Sequence, residues 1–140
     1  MIISTRGRYA LRVMVNLARH DQNTFTPLKE MAEQEDISLK YMESIMTSLS
    51  KAGLVDGAHG KGGGYRLAKA PEDYTVGEIL RVTETSLSAT ACVENGNCPK
   101  IGHCATYPVW QKLDRLINGF LDGISLSELM TSEPGNDYII

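Results

Sequence analysis

The residues best able to do chemistry sit together in Cys92-Val-Glu-Asn-Gly-Asn-Cys98-Pro-Lys-Ile-Gly-His-Cys104, which holds all three cysteines of the 140-residue chain. An odd thiol count makes a poor disulfide framework, and the chain opens without a charged stretch followed by an apolar one, so the cytoplasm is the expected compartment. Thiols that stay reduced there bind metal or react. Zinc sites usually present a C-x2-4-C pair, because two ligands on one tight turn reach a single small ion. Five residues separate each neighbouring pair here, which is wider. A wide loop with three soft thiolates suits an iron–sulfur cluster, which is larger than one ion; 2Fe–2S is favoured, with 4Fe–4S the other nuclearity. Zinc, a bare redox-switch thiol and inert surface cysteines stay open from this stretch alone. Asn95, Gly96, Asn97, Pro99 and Gly102 favour turns, so neither helix nor strand is expected through the segment.

A second constellation could bind a polyanion. Ser38 caps a helix running to about Ala52, with Leu39, Met42, Ile45, Met46 and Leu49 on one face and Lys40, Ser44, Thr47 and Lys51 on the other. Leu54-Val55 and Tyr65-Arg66-Leu67 then read as strands flanking His59-Gly60-Lys61-Gly62-Gly63-Gly64. A phosphate-binding P-loop would lead into a helix, whereas this loop leads into a strand. A hairpin wing beside a recognition helix explains it better, with Lys61 and His59 on a glycine backbone that can approach DNA closely.

These residues need a scaffold, and the rest of the chain reads as one. Tyr9, Ala10, Val13, Met14, Leu17 and Ala18 recur at helical spacing, giving an amphipathic helix from Ser4 to His20 with Arg6, Arg8, Arg12 and Arg19 on its other faces. Thr26-Pro27 is expected to open a second helix, threonine as N-cap and proline first in the helix, ending near Asp36. With the helix behind Ser38 this makes a helix-turn-helix. Thr75-Val-Gly-Glu78 reads as a capping box for a fourth helix packed against the wing. After Cys104, the apolar residues Val109, Trp110, Leu113, Leu116, Ile117, Phe120 and Leu121 form a long helix ended by Gly123. Its stripe is wider than a small domain should need, so a partner subunit is the expected cover, and two-fold symmetry would suit palindromic DNA. Ser125-Leu-Ser-Glu128 is a further capping box; from Ser132 the tail looks loosely held, although Tyr138, Ile139 and Ile140 could tuck back.

Net charge is −3 and charged residues make up 22% of the chain, which taken alone argues against a nucleic-acid binder. The distribution points the other way, because residues 1–19 carry four arginines and no acid whereas residues 81–140 hold four basic and seven acidic residues. No apolar run approaches bilayer-spanning length, so no membrane role is expected.

On Ser4-Thr5-Arg6-Gly7-Arg8-Tyr9-Ala10, Ile37-Ser38-Leu39-Lys40-Tyr41-Met42-Glu43, Gly60-Lys61-Gly62-Gly63-Gly64-Tyr65 and the three cysteines, the chain resembles the winged-helix transcription regulators that include IscR, NsrR and CymR. The resemblance covers nearly the whole chain. It implies that Cys92, Cys98 and Cys104 hold a cluster, with a fourth ligand that differs among branches. IscR-like members place a histidine where this chain has Tyr107, and NsrR-like members use an aspartate of the partner subunit where this chain has Arg8, so the fourth ligand stays open. His103 is a nitrogen donor in the loop but adjoins Cys104. Tyr107 precedes Pro108, which biases it toward extended geometry as a helix cap. IscR-like wings carry arginine and proline where this chain has His59 and Lys61, so minor-groove readout should differ. Resemblance also implies base contacts from Tyr41 and Glu43, and a glutamate at a helix N-terminus can independently accept from a cytosine amino group. The DNA-contact candidates are Arg6, Ser38, Lys40, Tyr41, Glu43, Ser44, Thr47, His59, Lys61 and Gly62.

The expected fold is mainly α: a winged helix-turn-helix DNA-binding domain over residues 1–82 with a small β-hairpin wing, a cluster-binding loop over 83–104, a long C-terminal dimerisation helix and a short helix over 105–131, and a tail over 132–140. The expected function is a homodimeric transcription repressor or activator on a palindromic double-stranded DNA operator, controlled by the cluster and sensing iron–sulfur status, nitric oxide or redox state. The same regulator with bare redox thiols or zinc is the alternative. An iron–sulfur electron carrier fits less well, since a carrier needs no helix-turn-helix and wing; no Ser/His/Asp set, paired acids or nucleotide loop points to an enzyme.

Overall fold

The computed structural model describes residues 2–132, in which helices dominate and two strands form one antiparallel hairpin. Helix α1 (Thr5–Ala18) starts where the Ser4 hydroxyl accepts from the Gly7 N–H at 2.9 Å, and it buries Ala10, Val13, Met14 and Leu17. Helix α2 (Leu28–Glu35) has Pro27 at its cap position with no side-chain cap. Thr26, expected as that cap, is instead buried in a two-way backbone bridge to Tyr65, N–H to carbonyl at 2.8 and 2.9 Å. A backbone donor and acceptor satisfied together by a strand outweigh one capping bond. Asp36, at φ +54°, turns the chain into α3 (Leu39–Lys51), whose cap is the Ser38 hydroxyl accepting from the Tyr41 N–H at 3.1 Å.

Helix α3 buries Met42, Ile45, Met46 and Leu49 completely, each contributing about 1.5–3 kcal/mol by area removed from water. Leu39, read from the sequence as part of that face, is 50% exposed at the first position of α3, while Met42 in the same turn is fully buried. Beyond it, β1 (Val55–Ala58) pairs with β2 (Gly64–Leu67), Val55 opposite Leu67 and Ala58 opposite Gly64. Fully buried Tyr74 pins the base of this hairpin: its hydroxyl donates to the Leu54 carbonyl at 2.6 Å and accepts from the Ala68 and Lys69 N–H groups.

Helix α4 (Val76–Thr83) begins with the Thr75 hydroxyl accepting from the Glu78 N–H, but only half the expected capping box forms, since the Glu78 carboxylate pairs with Lys69 at 2.8 Å. It lies chiefly along α1 rather than against the wing. The cysteine stretch, expected to be irregular, contains a short helix α5 (Ala91–Asn95) closed by Gly96 at φ +65°, then a single 3-10 turn at Ile101–His103. The turn-forming residues govern only the backbone beyond Asn95, and Cys92 lies ahead of them. Helix α6 (Tyr107–Asp122) takes Tyr107 as its first helical residue rather than as an extended cap, with Pro108 in the first turn, where no intrahelical N–H bond is lost. Helix α7 (Leu126–Thr131) carries a complete capping box between Ser125 and Glu128. It returns to α1, and Leu126 is fully buried in the same core as Met14 and Met46. A smaller cluster of Val76, Leu80 and Leu87, joined by Ile3, Leu121 and Ile124, seats α6 on α4. The expectation for Tyr138, Ile139 and Ile140 lies outside the described residues.

Candidate functional site

Because Met42, Ile45, Met46 and Leu49 anchor one face of α3, its other face is presented outward with Lys40, Glu43, Ser44 and Thr47 exposed, and Ser38 exposed at its start. Tyr41 is half-buried; its ring meets Tyr9 edge-on at 5.9 Å, and the Arg12 guanidinium lies over Tyr9 at 4.9 Å. Thr47 bonds back to the Glu43 backbone carbonyl at 2.8 Å, and Glu43 itself is exposed, its carboxylate without a protein partner among the described residues.

The arginines of α1 are committed more fully than their sequence suggested. Arg6 donates to the Ser44 hydroxyl, the Ser44 carbonyl and the Ser48 hydroxyl. Arg12 pairs with Glu35 at 3.1 Å, and Arg19 donates to the Met130 and Ser132 carbonyls. Arg8 is exposed and, among the described residues, reaches only Thr5, one turn back. The wing tip is different: His59, Lys61 and Gly62 are all exposed, and Gly62 holds φ +77°, a left-handed conformation that keeps the tip tight. Lys61 is the cation of the wing left open to solvent, since the Arg66 guanidinium stacks over Phe25 at 4.5 Å.

The cysteine loop hangs between α4 and α6. Cys92, in the first turn of α5, shares a hydrogen bond with the Thr90 hydroxyl at 3.0 Å; Cys104 does the same with Thr106 at 3.3 Å; Cys98 is exposed. The Thr106 hydroxyl, then the Thr106 and Tyr107 backbone N–H groups, hold the Cys104 thiol below its ordinary pKa, favouring the thiolate that binds metal. These donors fit a soft, thiolate-bound group chemically. Among the described residues no three His, Cys, Asp or Glu side chains stand close enough to share one metal ion, so the thiols expected as a ligand set are near in sequence but not gathered in space. Thr90 and Thr106, each two residues from a cysteine, were missed from the sequence, where only their spacing could have marked them.

On α6 the apolar stripe faces out. Leu116 is 71% and Phe120 68% exposed, with Val109 and Leu113 beside them, and Ile3, Ile117 and Leu121 complete a shallow apolar groove. No helix among the described residues is long and apolar enough to cross a membrane.

Comparison with known proteins converges on this architecture. Residues 3–132 match the family model described as Rrf2, iron-dependent transcriptional regulator. The chain is similar to the HTH-type transcriptional regulator IscR of Aliivibrio salmonicida (strain LFI1238), 41% identical over 130 residues that cover 93% of this chain and 77% of that one. Among solved structures it resembles CymR, the global cysteine regulator of B. subtilis, with a TM-score of 0.79 and 32% identity over 94% of this chain and 97% of that one. It also resembles T. potens IscR, with a TM-score of 0.73 and 35% identity over 93% and 86% of the two chains. Helix pair, wing, cysteine loop and long C-terminal helix all fall inside the matched residues, and the named relatives are transcription regulators rather than enzymes; this chain is a DNA-binding transcriptional regulator of the Rrf2 family.

Proposed function

We propose that the protein is a homodimeric regulator whose DNA binding is controlled by an iron–sulfur cluster held by Cys92, Cys98 and Cys104, with 2Fe–2S favoured over 4Fe–4S. The observation that carries this reading is the cysteine loop itself: all three thiols stand on one accessible segment between α4 and α6, with Cys104 biased toward thiolate. The match to an iron-dependent family supports it. When bound, a cluster of this kind supplies iron open to redox change and to small ligands. The chain's own residues supply the rest. The outer face of α3 enters the major groove with Lys40, Tyr41, Glu43 and Thr47, the wing lays His59, Lys61 and Gly62 along the duplex, and Ser38 lies at the phosphate edge. The α6 groove is covered by a second copy, matching a palindromic operator, and the protein works in the cytoplasm, where that DNA is found.

A second reading keeps the regulator and leaves the thiols bare or bound to zinc. The separate hydrogen bonds of Cys92 to Thr90 and Cys104 to Thr106 favour it, because each thiol is satisfied without the others. Anaerobic purification separates the two readings. Visible charge-transfer bands with matching iron and sulfide are expected, and each of Cys92→Ala, Cys98→Ala and Cys104→Ala should lose them while the protein stays folded and binds DNA nonspecifically. A colourless protein that releases zinc would decide for the second reading. Full iron and sulfide in any cysteine variant would overturn the ligand set, and identical DNA affinity and preference with and without the cluster would reject the sensor.

A further inference from the structure

Arg6 leaves the first turn of α1 and crosses to the middle of α3. One guanidinium nitrogen donates to the Ser44 hydroxyl at 2.9 Å; the other donates to the Ser44 carbonyl at 3.0 Å and to the Ser48 hydroxyl at 2.6 Å. Among the described residues these are the only hydrogen bonds that join α1 to α3. The two serines are one helical turn apart, so a rigid planar fork that holds both resists roll of α3 as well as sliding along its axis. Its mount is rigid too, because the start of α1 is pinned by the Glu84 carboxylate, which accepts from the Ser4 N–H at 2.9 Å and the Ser4 hydroxyl at 2.8 Å. Glu43 lies one residue before Ser44 and Tyr41 three before it, so any roll of α3 sweeps both side chains sideways. Base readout is angular: a donor or acceptor misdirected by a fraction of an ångström loses its partner.

We infer that Arg6 is a positioning residue that sets the roll of α3 through Ser44 and Ser48, aiming Tyr41 and Glu43 at the bases, and is not a phosphate contact. The inference rests on base readout by α3 as proposed above. An arginine released to phosphate would give up all three of these bonds, the Ser48 hydroxyl keeping only its own bond to the Ser44 carbonyl at 3.3 Å, whereas a clamp keeps every one of them when DNA arrives.

The test uses the full-length protein purified anaerobically, a duplex enriched by the wild type from a randomised pool, and a scrambled duplex of equal length. Binding is titrated over a range of salt concentrations for the wild type, Arg6→Gln, Ser48→Ala and the double variant. Arg6→Gln should lower the enriched-to-scrambled affinity ratio about tenfold, as expected when one base contact is spoiled, with the salt slope unchanged. Ser48→Ala should move the ratio the same way, and the double variant should be no worse than Arg6→Gln alone. Arg6→Lys should restore part of the ratio, since an ammonium can reach one acceptor but cannot fork. A slope shallower by about 0.9 with the ratio kept would mark Arg6 as a phosphate contact and overturn the proposal. So would an unchanged ratio in Ser48→Ala, which is the more conservative change should Arg6→Gln fail to fold. A wild type that enriches no sequence would instead reject readout by α3, and the clamp with it.

Discussion

Single side chains differ in how firmly the fold holds them. Glu43 and Lys61 are both exposed, but they stand on different supports: Glu43 on a helix anchored by four buried side chains, Lys61 on a glycine tip with no side chain to fix it. That difference predicts different losses. Glu43→Ala should relax sequence preference, while Lys61→Ala should weaken all duplexes alike and make the salt slope shallower by about 0.9, the value for one released counterion. Anisotropy titrations on enriched and scrambled DNA across a salt series check both; equal losses on both duplexes in both variants would take base readout away from Glu43.

Elements are joined by contacts that admit little substitution. Gly64 holds φ +145° at the start of β2, and a Cβ there would run into the Thr26 carbonyl that bridges to Tyr65. Both the conformation and the space are closed to other residues, so Gly64→Ala should cost about 2 kcal/mol or more, lower the melting temperature and weaken DNA binding through a displaced wing. Helices α4 and α6 are tied by Arg81, whose guanidinium donates to both Asp122 carboxylate oxygens at 2.6 and 3.0 Å and to the Asn118 side-chain amide oxygen at 2.7 Å. The Arg81 hydrogen bond holds the Asp122 carboxyl below its ordinary 3.8. A lowered folded value means that the pair stabilises fully above that ordinary value and loses its contribution as pH falls through the lowered one. Both side chains are 44% exposed, so the contribution is discounted to about 0.5 kcal/mol. Asp122→Asn should therefore melt slightly below the wild type at neutral pH, and the two should converge in acid; scanning calorimetry at a series of pH values would show whether they do.

Among the described residues, the exposed large apolar side chains concentrate on α6. The α6 stripe exposes Leu116 and Phe120 most, whereas Ile117 and Leu121 are already half-covered by the chain itself. Charges at the two exposed positions should cost the fold little and a dimer much. Leu116→Glu with Phe120→Glu is expected to sediment as a monomer of unchanged helicity and to bind a palindromic duplex at least tenfold more weakly, since one half-site then binds without the other. A double variant that keeps the dimer mass would place the two-fold contact elsewhere.

Unlike α5, the long helices and the caps Ser38, Thr75 and Ser125 were legible in the amino-acid sequence alone, because each depends on a bond or a periodicity reaching no further than four residues, and the hairpin was legible from two short apolar runs on either side of a glycine-rich tip. So were the excess of apolar surface on α6 over what a small domain can cover and the placement of three thiols in one loop. Contacts between distant residues settled the rest. Thr26 has the composition of a cap, yet Tyr65 arrives beside it only after the hairpin has closed. Leu39 fits the apolar period of α3 yet stays half exposed in the folded chain. Arg6 reads as a DNA contact from the sequence, and only folding brings Ser44 and Ser48, 38 and 42 residues away in the chain, across to it as hydrogen-bond acceptors. Leu126 looks like part of a separate terminal helix, and folding returns it to the central core. Local patterning specifies which elements form, while the pairing of their faces depends on which other surfaces compete for the same burial and the same hydrogen bonds, a competition that is resolved only once the chain has packed.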